Sequence, residues 1–242
     1  MRKRLEYPSS EYDLDIRVKD LSIMSRIGEK ILDNVSVFIP QGTHAVIKGP
    51  SGAGKTFLAT AMCDVRNNQL NYTGDVSYEM RSKKDPENRF TLPPQYPLKY
   101  RNVSFISQKP FFDSDNTVEQ EVMLDAGLKG IKDIDRDRLG SVYEILGISH
   151  LIHRRMLDLS GGQQQRVPIA AGLVINPNVV VTDEVTANLD VESKVKTHEA
   201  LSELSREFGI TVLSITHDDL TAPREIRMLD RRIVGDTHPS DN

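Results

Sequence analysis

The 242-residue chain has one cysteine, Cys63, and no tryptophan. A lone cysteine excludes an internal disulfide and any multi-cysteine metal site, which fits a reducing compartment. Long apolar runs are lacking too. The longest, such as Ile169 to Ile175, extend about seven residues, where a bilayer-crossing helix needs roughly 18. The basic start Met1 to Arg4 is followed by glutamates, aspartates and serines within Leu5 to Ile16, where a signal peptide needs an apolar core, so the chain is expected to stay in the cytosol. A basic excess is missing as well: the net charge is −4, and nucleic acid, which needs a basic face, is not an expected partner. What remains, 38% hydrophobic residues with 15 glycines, is the composition of one folded domain or two small ones.

Periodicity divides the chain. Leu14, Ile16 and Val18 alternate with Asp13, Asp15 and Arg17, and Val35, Val37 and Ile39 alternate likewise, which predicts an N-terminal antiparallel β layer. Ala45 to Ile47, Val179 to Val181 and Thr211 to Ile215 are short β-branched or apolar runs of the kind that form buried parallel strands. Leu139, Val142, Tyr143 and Leu146 recur at helical spacing, and Val191, Val195, Leu201, Leu204 and Phe208 keep a similar phase. Strands alternating with helices predict an α/β sheet. Asn116 to Leu159 carries helical signals only and reads as a helical subdomain inserted into that core. Met80 to Arg101, with Pro86, Pro93, Pro94 and Pro97, reads as a surface insertion or long loop.

Three motifs carry chemistry. Gly49-Pro50-Ser51-Gly52-Ala53-Gly54-Lys55-Thr56 matches G-x-x-x-x-G-K-[ST] and follows a predicted strand. Its backbone N–H groups can close around phosphate oxygens, the following helix N-terminus adds partial positive charge, Lys55 reaches the terminal phosphates and Thr56 offers a hydroxyl to Mg²⁺. Val179 to Thr182 ends in Asp183 and Glu184; Asp183 is placed to hold Mg²⁺ and Glu184 to polarise an attacking water. Ser160-Gly161-Gly162-Gln163 opens a helix with a second anion-binding turn, the Ser160 hydroxyl and the two glycine amides facing a phosphate.

Leu159 to Arg166 resembles the signature sequence of ABC-type ATPases, and it lies between the phosphate loop and the Asp-Glu strand in that family's order. The resemblance covers roughly residues 14 to 236. It implies a P-loop NTPase (RecA-like) α/β core with an N-terminal antiparallel β layer and an inserted helical signature subdomain. The expected boundaries are 12–236 for a single ATPase domain, 12–110 and 167–236 for the core and 111–166 for the helical subdomain, with 1–11 and 237–242 as tails. By the same resemblance Gln108 is the glutamine that senses Mg²⁺ and links core to subdomain, Asp190 in Ala187-Asn188-Leu189-Asp190 works at a dimer interface, and His217 touches the γ-phosphate. His44, His150, His153, His198 and His238 have no motif around them and are expected to be structural or exposed. Ala187-Asn188-Leu189-Asp190 and the tail Arg227 to Asp236 look most like the lipoprotein-release and macrolide-export branch.

The resemblance implies an ATP-hydrolysing subunit with ATP and Mg²⁺ as ligands. Two copies, or one copy and a homologous subunit, would close head to tail over two nucleotides, driving separate transmembrane permease subunits from the inner face of the membrane. The alternative is a soluble ABC-type ATPase acting in assembly or as a regulatory switch without a membrane partner. Several positions depart from the family pattern. The adenine-stacking aromatic is replaced near Ser25, with Arg26 or Tyr12 as possible substitutes; Pro168 falls inside an expected helix; Val185 stands where the family has proline.

Overall fold

The computed structural model describes residues 12–63, 67–85, 87–91, 103–108, 112–128, 133–217 and 223–237. In chain order the elements are β1 (Tyr12–Ser25), β2 (Lys30–Ile39), β3 (His44–Lys48), α1 (Lys55–Met62), β4 (Leu70–Ser82), β5 (Arg89–Thr91), β6 (Val103–Ile106), α2 (Val118–Leu128), α3 (Arg136–Ile145), α4 (Gly161–Leu173), β7 (Val179–Asp183), α5 (Val191–Phe208), β8 (Thr211–Ile215), β9 (Arg224–Leu229) and β10 (Arg232–Asp236). They form two sheets. One is antiparallel, of order β2-β1-β4-β5; the other has the order β10-β9-β3-β8-β7-β6 and is parallel from β9 to β6, with β10 added antiparallel at its edge.

Side chains of a strand alternate between faces, and here alternation assigns each residue to one of two cores. Ala45, Ile47, Val179, Val181, Leu213 and Ile215 point into a core shared with α1 and the antiparallel sheet. Val180 and Val212 point the other way, into a core built with α2 to α5. The parallel strands are thus covered on both faces, which is why their sequences are continuously apolar.

Two expectations needed revision. The stretch from Met80 is not all loop: β4 continues to Ser82 and β5 pairs with it at Glu79 to Arg81, while 86 and 92–101 lie outside the described residues. Within α5, Val191 and Val195 are exposed, and the buried stripe is Thr197, His198, Ala200, Leu201, Leu204 and Ser205. Pro168 lies inside its helix as expected, and α4 runs on to Leu173. An interior proline costs about 3 kcal/mol, but Val167, Ile169, Ala170 and Leu173 around it are buried, and each large one contributes about 1.5 to 3 kcal/mol. Packing wins. The same helix passes without interruption through the boundary expected at 166/167, packing on α2 and on β6.

His44 and His198 are buried and their rings stack with centroids 6.1 Å apart, whereas His150 and His153 are exposed. His238 lies outside the described residues. Burial, and secondarily the His198 ring, hold the His44 imidazole down at about 3 against an ordinary 6.5. A group whose folded value is depressed contributes stability above its unfolded value and loses it as pH falls towards the folded one. Carboxylates such as Glu79, held low by a hydrogen bond from Arg17, lose theirs only below about their ordinary 4.5. Urea melts should therefore show stability already falling between pH 6.5 and 4.5, and His44→Gln should flatten that part of the curve.

Candidate active site

The parallel strands β3, β7 and β8 end side by side, and the three functional loops leave from those ends, where ligands of open α/β sheets bind. After β3 the chain turns through Gly49 to Gly54 into α1. Gly49 has φ 153°, and a Cβ there would collide with the carbonyl oxygen of Met228 on β9; Gly54, the residue capping α1, has φ 93°, and a Cβ would strike Leu32 and the Ile31 carbonyl. Glycine is required at both by contact with the layers on either side of the loop.

This turn sets Lys55. Its ammonium donates to the carbonyls of Gly49 (2.9 Å) and Pro50 (3.0 Å) and lies 3.4 Å from His217 Nε2. The residue is only 6% exposed. Burial lowers its pKa, opposed by the charges of Glu184 and Asp183. Next to it, the Thr56 hydroxyl donates to Asp183 Oδ2 at 3.0 Å. Burial raises the Asp183 pKa, with the Thr56 hydrogen bond pulling the other way.

Glu184 leaves the end of β7 with φ 50°, its N–H bound to the Ile215 carbonyl of β8 at 2.9 Å. Its carboxylate is held from two sides. Oε1 is 2.9 Å from His217 Nε2, and Oε2 accepts from the Gln108 amide at 3.2 Å. Lys55, His217, Glu184 and Gln108 therefore form one connected chain of polar contacts beside the Thr56–Asp183 pair.

The Ser160 turn is a separate cluster. Ser160 caps α4 in a reciprocal arrangement, its hydroxyl accepting from the Gln163 N–H while its own N–H donates to Gln163 Oε1 at 2.9 Å. Asp190 caps α5 through the Ser193 N–H at 2.9 Å, and a hydrogen bond from the Ser193 side chain, followed by the one from that N–H, lowers the Asp190 pKa. A Cβ on Gly162 would stand 3.1 Å from Ser193 Oγ, so the starts of α4 and α5 touch. Gly161 faces open space. Within this one chain, Ser160, Gly162, Gln163 and Asp190 are brought to one another rather than to Lys55.

For the base, β1 ends at Ser25 in a turn whose hydroxyl accepts from the Glu29 N–H at 3.0 Å. Tyr12 begins the same strand, 13 residues and about 43 Å of extended chain from Ser25, so it cannot substitute there. Val185 is buried in the second core. Sequence reasoning missed the hydrogen bond between Gln108 and Glu184, for which linear spacing carries no signal.

A family model described as "ABC transporter" matches residues 32–187, well over half of the chain. The chain belongs to the ABC transporter ATP-binding family. It is 36% identical over 199 residues to the molybdate/tungstate import ATP-binding protein WtpC of Pyrococcus horikoshii, covering 81% of this chain and 53% of the relative; the chain thus spans about half the length of such relatives. It is 30% identical over 216 residues to the lipoprotein-releasing system ATP-binding protein LolD of Geobacter metallireducens, covering 85% of this chain and 90% of that one. Among solved structures, cbiO1 from Clostridium perfringens, described as part of the ABC transporter complex cbiONQ, superposes with a TM-score of 0.75 at 26% identity over 96% of this chain and 90% of the other.

Substituting Gly49 tests how the ABC domain builds its loop. Gly49→Ala should lower stability by about 3 kcal/mol or prevent folding, because neither its φ nor the Met228 carbonyl leaves room for a methyl group. Thermal or urea melting against Gly52→Ala, where no atom stands within 4 Å of the added carbon, isolates the steric part.

Proposed function

We propose that the chain hydrolyses ATP and powers an ABC transporter whose membrane-spanning part is a separate polypeptide. It does so at the inner face of the membrane, as a head-to-tail pair of copies or with a homologous subunit. The observation that carries the reading is the Glu184 carboxylate suspended between His217 and Gln108, one residue from Asp183 and within electrostatic reach of Lys55. A carboxylate so held can orient a water and accept its proton. Lys55 and the loop amides stabilise negative charge on the phosphates, and His217 supplies a further donor, in a reaction governed by positioning and electrostatics.

The residues present fit Mg²⁺. Thr56 and Asp183 place two hard oxygen donors 3.0 Å apart, and among the described residues no cluster of three or more His, Cys, Asp or Glu could hold a metal by itself. That is the donor set of an ion that completes its shell with phosphate oxygens and water, with Gln108 nearby as a further oxygen donor. When bound, the ion neutralises charge on the phosphate chain.

The Ser160 turn supports the dimer. Its capping serine, open Gly161 face and exposed position form a phosphate receptor presented outward, available to a nucleotide held by a second copy. No helix among the described residues is long and apolar enough to cross a membrane. LolD-type relatives of similar length bear names of lipoprotein release, which supports a transport role.

Glu184→Gln should bind ATP with unchanged affinity while phosphate release falls by about 10²- to 10⁴-fold. Full turnover by this variant would overturn the assignment. Lys55→Ala should weaken ATP binding by about 10- to 100-fold in equilibrium titration, the loss expected when a charged hydrogen-bond donor is removed.

A further inference from the structure

Behind the catalytic loops, on the face of the parallel sheet that is otherwise lined by Val180 and Val212, runs a chain of buried polar side chains. Thr182 on β7 donates to Ser214 Oγ on β8 at 3.0 Å; Ser214 Oγ lies 3.1 Å from His44 Nε2 on β3; His44 Nδ1 lies 2.7 Å from Ser202 Oγ on α5; and Ser202 donates to the His198 carbonyl at 3.0 Å. Thr182, Ser214 and His44 are all nearly inaccessible to solvent.

One direction runs through the chain from its last link. With the Ser202 hydroxyl donating to the His198 carbonyl, Ser202 accepts from His44. His44 therefore carries its proton on Nδ1. Its Nε2 accepts from Ser214, whose oxygen in turn accepts from Thr182. In this sense Ser202 and Ser214 each give one hydrogen and receive one, and the chain spans three strands and α5.

Those strands end in the reacting groups. Thr182 immediately precedes Asp183 and Glu184, Ser214 lies three residues before His217, and β3 runs from His44 into the Gly49 turn. Beyond the polar chain, the strand ends are tied by the Glu184 N–H to the Ile215 carbonyl and the Thr216 N–H to the Ile47 carbonyl. We propose that Thr182, Ser214 and the Nδ1-protonated His44 form a positioning relay that fixes the Glu184 carboxylate relative to His217 and the phosphate loop, through hydroxyl hydrogen bonds rather than through packing alone. The proposal rests on the hydrolytic role given to Glu184 above.

The test compares Thr182→Val, which keeps the shape and deletes the hydroxyl, with Thr182→Ser, which keeps the hydroxyl. Thr182→Val should lower kcat about 10-fold with ATP affinity within 2-fold of the unaltered chain, and Thr182→Ser should restore kcat to within about 2-fold. An unchanged kcat in Thr182→Val, or equal losses in both variants, overturns the relay. A second measurement needs no variant. The ¹³C and ¹⁵N shifts of the His44 ring in the full chain should report the Nδ1–H form, and the Nε2–H form would overturn it. Should the unaltered chain release no phosphate from ATP, the hydrolytic reading fails by itself. The relay is then decided by the ring shifts and by whether Thr182→Val, but not Thr182→Ser, displaces the Glu184 and His217 resonances.

Discussion

The arrangement depends on one charge held out of water. Lys55 is buried at the start of α1, and the atoms that hold its ammonium are two neutral carbonyls. Carbonyls orient a cation without cancelling it, and burial already pushes this one towards its neutral form. An anion brought to the loop relieves that cost, so the protein is built to be more comfortable with phosphate than without it. The same economy explains the crowding of the loop. Gly49 lies against the Met228 carbonyl and Gly54 against Leu32, so the turn is braced by both sheets and cannot spread to let water reach the lysine freely.

The other residues of the site are placed by topology. Residues far apart in sequence, Lys55, Gln108, Glu184 and His217, meet because the strands preceding them lie side by side and parallel, which sends all their C-terminal ends to one edge of the sheet. Glu184 needs one more device. Its backbone has φ 50°, a conformation that costs of order 1 to 3 kcal/mol in a non-glycine residue, and its N–H is bound to the Ile215 carbonyl of the neighbouring strand. The strain turns the side chain back over the strand end towards His217 and Gln108. A residue one position earlier, Asp183, follows the regular strand and meets Thr56 instead. Two adjacent carboxylates thus receive different partners from a single change of backbone angle.

How much of this was legible in the sequence depends on whether a feature is local. The phosphate loop, the Asp183–Glu184 pair and the Ser160 turn are contiguous stretches whose chemistry is written in residue types at fixed spacing, and the buried strands show as apolar runs because both of their faces are covered. One of the two inner strands of the antiparallel sheet was not legible. β4 reads Leu-Asn-Tyr-Thr-Gly-Asp-Val-Ser-Tyr-Glu-Met-Arg-Ser, half-exposed, polar and interrupted by glycine, and it forms by pairing with β1 over its whole length rather than by its own pattern. Val191 and Val195 misled for the opposite reason: they hold helical phase with Leu201 and Leu204 but lie near the N-terminal end of α5, where the helix rises off the core, so period alone could not say where burial stops.

His44 shows the limit most clearly. As a letter in the sequence it has no motif, and its place at the start of an apolar strand suggests only a tolerated core residue. Its partners are Ser202 and Ser214, 158 and 170 residues away, and neither is distinguished from other serines of the chain until the sheet is assembled. Burying an imidazole and several hydroxyls in an apolar face is unfavourable unless every donor and acceptor is matched, and matching them requires one particular register of three strands. An apolar side chain would fill the same space and accept a slip or a small shift more readily. The polar chain makes such displacements costly at the depth from which the loops carrying Lys55, Glu184 and His217 emerge, so the tolerance of the hydrophobic core to small adjustments is withheld where the reacting groups must keep distances of about 3 Å.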